Sequence, residues 1–121
     1  MRYVIALLAL ALSSSIAAAG HRTHYSAACA EPARKGGPCG CEAMRIVGLT
    51  DKQYWAVSNW RRFPRSVARV GAAAIWRNCS HVEIVSAVNP DGTVDTRGSV
   101  GWSHVRQSAL IFVNPHRHAG L

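Results

Sequence analysis

Apolar positions recur along this chain with two different periods. From Gly40 onward, Ala43, Met44, Ile46 and Val47 fall on one face of a helix, with Glu42 and Arg45 as an i,i+3 charge pair on the other. Gly48 stands where a left-handed residue commonly closes a helix. Thr50-Asp51-Lys52-Gln53 then has the form of a capping box, with Leu49 and Tyr54 placed as a hydrophobic staple. This predicts a second helix capped by Thr50, with Tyr54, Trp55, Val57 and Trp60 as its buried stripe and Phe63-Pro64 as its end. The arginines at that end, Arg61, Arg62 and Arg65, suit the helix dipole.

Beyond residue 70 the period shortens. Ala72 to Trp76 is a short apolar run, and His81 to Val88 is β-branched and alternating. Asn89-Pro90-Asp91-Gly92 is a turn, Thr93 to Arg97 is extended, and Ala109 to Val113 is a last apolar run. Helices followed by a meander of about four antiparallel strands predict an α+β domain.

The two ends read differently. Met1-Arg2, the apolar run Tyr3 to Leu12 and the small residues Ser13 to Ala19 form a signal-peptide pattern, with cleavage expected before Gly20. Residues 1–19 are thus expected to be removed, and the mature protein to be exported, periplasmic or secreted, with no stable membrane span. Residues 20–35 lack a sustained period and are expected to be a flexible lead-in. The folded domain is expected over 36–114, with 115–121 as a tail.

Charge narrows the partners. The formal net charge is +8, and loss of Arg2 with the leader lowers it by one. An exported basic protein is drawn to anionic surfaces such as cell-wall polymers, lipid head groups or acidic glycans. Export, and the lack of a clustered basic stripe with interleaved aromatics, argue against nucleic acid.

The chemistry centres on Pro38-Cys39-Gly40-Cys41. A thiol at a helix start feels unpaired N–H groups and a partial positive charge, which favour the nucleophilic thiolate. Thiol catalysis also needs a base and a group to orient it. His81, at the start of a strand, is the candidate base. A three-residue loop with a bulge at Asn89-Pro90-Asp91-Gly92 would pair Ala87 with Asp95, Glu83 with Ser99 and His81 with Gly101. His81, Glu83, Asp95, Arg97 and Ser99 would then share a face. Asp95 would lie six residues along from His81, about 20 Å away, too far to orient it. Ser99, diagonally opposite, is the expected third member, and Glu83 is expected to modulate the ring. Four cysteines, Cys29, Cys39, Cys41 and Cys79, leave two further arrangements open. One is a zinc site on Cys39, Cys41, Cys79 and His81, at spacings tighter than usual. The other is a Cys41–Cys79 disulfide bracing the pair. His21 and His24 read as solvated residues rather than ligands.

The segments Pro38-Cys39-Gly40-Cys41-Glu42-Ala43, Trp55 to Trp60, Gly71 to Trp76, His81 to Val85 and Asn89 to Gly92 occur in that order. This resembles the CHAP and NlpC/P60 superfamily of papain-like cysteine amidases and peptidases over roughly residues 36–113. The resemblance implies N-terminal helices packed on a small antiparallel sheet, with Cys39 as nucleophile and His81 as base. Ser99 falls where that superfamily has a polar third residue. It further implies cleavage of amide bonds in peptidoglycan without a metal or organic cofactor, with peptidoglycan or another anionic cell-envelope polymer as partner. Cys41 replaces the usual aromatic two residues after the nucleophile. The alternative is a catalytically inactive cationic wall- or surface-binding protein on the same fold.

Overall fold

A computed structural model describes residues 23–116; the expected signal peptide and residues 117–121 of the expected tail lie outside them. The fold is a small α+β arrangement with a four-stranded antiparallel sheet. Helix α1 spans Ala30–Lys35 and α2 spans Cys39–Val47; the strands are β1 Ala73–Trp76, β2 Val82–Val88, β3 Val94–Arg97 and β4 Leu110–Val113. No helix among the described residues is long and apolar enough to cross a membrane.

The α2 helix forms where its period places it and closes at Gly48, whose φ of 80° is left-handed and free of Cβ strain. Its buried residues Ala43 and Met44 pack with Ile75, Val82, Ile84, Ile111 and Val113 in one core layer. Ala72, Ala74, Val85, Val94, Leu110 and Phe112 fill a second layer. Strands β1 and β4 alternate between the two, so both faces are buried and their sequences read as continuous apolar runs.

The strand order is β3-β2-β1-β4, not a plain meander. The last strand crosses to the far side and pairs with β1, from Ala73 opposite Val113 to Trp76 opposite Leu110. Its outer edge is partly covered: Arg65 bridges Val113, and the Ser66 N–H donates to the Phe112 carbonyl.

The predicted second helix is replaced by two 3₁₀ segments, Lys52–Trp55 and Val57–Arg62, separated by an extended Ala56. Asp51, not Thr50, caps the first, its carboxylate accepting from the Gln53 N–H at 3.1 Å. The cause is competition for carbonyls. Trp60 Nε1 donates to the Tyr54 carbonyl at 2.7 Å, and Asn59 Nδ2 to that of Gln53 at 2.8 Å. An α-helix would need those two acceptors for its own ladder. Tyr54, Trp60 and Phe63 still bury their rings, with Tyr54 stacked on Phe63 at 4.7 Å.

This segment lies directly on α2. A Cβ on Gly40 would collide with the Tyr54 carbonyl oxygen and sit 2.5 Å from that of Trp55. Both are main-chain atoms, so they cannot rotate away. Gly40→Ala is expected to lower stability by about 1–3 kcal/mol, the usual range for overpacking, read as an earlier urea midpoint. An unchanged midpoint would show that the segment moves freely.

The expected flexible lead-in is ordered over its described part. A disulfide joins Cys29 to Cys41, Pro32 is buried, and Ser26 donates from N and Oγ to Glu42 at 2.6 and 2.8 Å. The His24 N–H also donates to the Ser99 carbonyl. These are contacts with distant residues, which local composition does not reveal.

Candidate active site

Cys39 opens α2, and Pro38 is the N-cap residue before it. The thiol is free and half-buried. It hydrogen-bonds His81, which immediately precedes β2. His81 Nε2 in turn lies 2.7 Å from Glu83 Oε2. That contact leaves Nδ1 as the ring nitrogen available to the thiol. Cys39, His81 and Glu83 form one continuous relay.

Glu83 is fully buried, yet its carboxylate is well supplied with donors. Thr96 Oγ1 donates to Oε1 at 2.8 Å, the Val100 N–H to Oε2 at 2.9 Å, and the Gly101 N–H to both oxygens at 3.0 and 3.1 Å. Gly98 leaves the space, since a Cβ there would come within 2.9 Å of Glu83 Cγ. Burial pushes the carboxyl up, but the bonds from His81, Gly101, Val100 and Thr96 outweigh it and hold Glu83 below the ordinary range.

The other two groups are shifted toward their charged forms. Burial opposes charge on His81, but hydrogen bonds to Cys39 and Glu83, with the charges of both, raise the ring to about 9. Burial likewise raises the Cys39 thiol. Its bond to His81, the imidazolium charge and the main-chain N–H groups of Val82 and Gly40 reverse that, leaving it below the usual thiol value. The arrangement therefore shifts the Cys39–His81 pair toward thiolate and imidazolium. The Trp76 ring meets the imidazole edge-on at 4.9 Å and shields it from water.

The expected role of Ser99 is corrected. The hairpin begins as its turn chemistry predicts, with Gly92 at φ 85° and Ala87 opposite Asp95. A bulge between Val85 and Ala87 then inserts one residue, so that Val85 faces Thr96 and Ile84 faces Arg97. A one-residue slip exchanges the faces of a strand. Thr96, not Arg97 or Ser99, therefore shares the Glu83 side. The Ser99 hydroxyl is buried and makes no hydrogen bond among the described residues. Asp95 stays remote and bonds Asn89 and the His104 N–H. Glu83, expected only as a modulator, takes the third position. Its signal was a lone carboxylate inside the apolar run Val82-Glu83-Ile84-Val85, two residues from His81.

The Cys41–Cys79 bridge that the sequence leaves open does not form: Cys41 is bonded to Cys29 and Cys79 is a free thiol. The disulfide also takes Cys41 out of the proposed zinc set, and no group of three or more candidate metal ligands occurs among the described residues. A cleft of about 430 Å³ opens at Cys39, walled by Gly36 and Gly37 on one side, by Trp55, Ala56 and Val57 on another, and by Cys79 and Ser80. It is large enough for a peptide side chain or two beside the thiol.

Compared with family models, curated proteins and solved structures, the chain gives no match.

Proposed function

We propose that this chain is an exported cysteine amidase or endopeptidase of the papain-like CHAP and NlpC/P60 type, cutting amide bonds in peptidoglycan peptides. The observation that carries this reading is the Cys39–His81–Glu83 relay, whose thiol lines an open cleft. A buried acid, a raised imidazole and a lowered thiol, in that order, match what acyl transfer by a thiolate requires. The substrate class rests on the sequence resemblance and on the basic, export-directed chain.

In the first half-reaction the Cys39 thiolate attacks the amide carbonyl carbon. The main-chain N–H at the start of α2 would help to stabilise the developing oxyanion. As the tetrahedral intermediate collapses, the imidazolium gives its proton to the leaving amine and the C–N bond breaks, leaving a thioester on Cys39. Neutral His81 then takes a proton from water, whose oxygen attacks the thioester. The acid product departs, restoring thiolate and imidazolium. Glu83 touches no reacting atom; it fixes the ring and stabilises its positive form.

Wild-type protein is expected to release soluble peptides from purified peptidoglycan, and Cys39→Ala to release none. The proposal fails if wild type digests the polymer and Cys39→Ala digests it equally. It fails for this substrate if folded wild type releases nothing, which would leave the non-catalytic wall binder as the better reading.

A further inference from the structure

From Lys52 to Val82 the chain contains no carboxylate, while Lys52, Arg61, Arg62, Arg65, Arg69 and Arg77 all fall within it. Inside this stretch, the loop after Pro64 presents two valines to solvent, Val67 at 74% and Val70 at 66% exposure. Each shares a groove with arginine. A groove of about 330 Å³ is lined by Pro64, Arg65, Ser66, Val67, Arg69 and Asn114. A second one, about 250 Å³, sets Arg97 beside Val70. No acidic side chain lines either groove.

The loop is held at both ends, by the Ser66 N–H to the Phe112 carbonyl at 3.0 Å and the Gly71 N–H to the Val85 carbonyl at 3.0 Å. It is a shaped surface. It also sits at the end of the sheet marked by Ala72, Val85 and Val113, whereas His81 and Cys39 occupy the end marked by Trp76 and Leu110. Whatever docks on the loop leaves the thiol cleft open.

We propose that the 64–70 loop, with Arg97, docks peripherally on an anionic lipid bilayer. Charge complementarity selects the phosphate head groups, and Val67 and Val70 enter the adjoining acyl boundary. A hydrophilic polyanion satisfies the arginines but gains nothing from the valines; a bilayer interface accommodates both. Each cation near an anionic surface is worth about fivefold in affinity, so Arg65 and Arg69 together are worth roughly 25-fold.

The test is hydrogen–deuterium exchange of the full chain with and without vesicles. With phosphatidylglycerol–phosphatidylcholine vesicles, amides 66–70 are expected to exchange severalfold more slowly, while those of β1 and β2 are unchanged and report an intact fold. Pure phosphatidylcholine vesicles and free glycerol phosphate are expected to give no protection. Arg65→Gln/Arg69→Gln is expected to need roughly 25-fold more lipid for the same protection. Val67→Ser/Val70→Ser is expected to lose it. The proposal is overturned if amides 66–70 are never protected, if glycerol phosphate alone protects them, or if the serine variant is protected as well as wild type.

Discussion

Glu83→Ala is expected to cost on the order of 3–5 kcal/mol, the range for removing one partner of a buried ion pair. The substitution removes the carboxylate partner of the His81 ring and strips the acceptor from Thr96 Oγ1 and from the Val100 and Gly101 N–H groups. Set against a typical total of 5–15 kcal/mol, that loss brings the domain close to unfolding at 37 °C. The milder Glu83→Gln keeps a carbonyl acceptor but not the charge. It is expected to leave a folded protein in which His81 is raised less, and the thiol therefore lowered less, than in wild type. Peptide hydrolysis should then fall by roughly 10²–10⁴, the usual share of positioned acid–base groups. Chemical unfolding of both variants, with the pH–rate profile of the glutamine form, separates structural from chemical loss. Two variants as stable as wild type would remove Glu83 from the account.

Breaking the Cys29–Cys41 disulfide with Cys29→Ala/Cys41→Ala is expected to cost about 3 kcal/mol, from the loop of twelve residues that it closes. For a domain of this size that is a fall of roughly 12–24 °C in Tm. The disulfide fastens the segment carrying α1, Gly36 and Gly37 to the helix that carries the thiol, and those residues form one wall of the cleft. Loss of the bond should therefore raise KM more than it lowers kcat, because the relay itself lies on α2, β2 and the residue that leads into β2. Calorimetry with and without a reducing agent gives the same comparison in wild type. A Tm insensitive to both treatments would show that the hydrogen bonds from Ser26 to Glu42 suffice to hold the segment.

What the sequence made legible was local. The α2 helix, its Gly48 stop, the Asn89-Pro90-Asp91-Gly92 turn and the pairing of Ala87 with Asp95 all follow from signals within a few residues. So did Cys39 and His81 as partners, since each is marked by its position at an element start. The features that escaped depend on contacts between distant residues. The bulge at Ser86 has no turn residue to announce it, yet it moves Thr96 onto the Glu83 side and displaces Ser99. The two 3₁₀ segments arise because Trp60 and Asn59 claim carbonyls that a capping box cannot foresee. Disulfide partners are fixed by the fold, and the ordered lead-in follows from Cys29 finding Cys41. Glu83 was visible as an oddity, a charge in a buried strand. Its role emerged once the donors from residues 96–101 were in place around it.

If His81 and Glu83 hold Cys39 toward its thiolate form, the rate of its alkylation against pH shows it. With Cys79→Ser in the background, so that the other free thiol is silent, iodoacetamide labelling of Cys39 is followed by peptide mapping. The half-maximal rate is expected below the ordinary thiol value of about 8.5. His81→Ala is expected to move that midpoint upward, because burial alone raises the thiol. A midpoint at or above about 8.5 that His81→Ala leaves unchanged would show that His81 does not hold Cys39 as a thiolate.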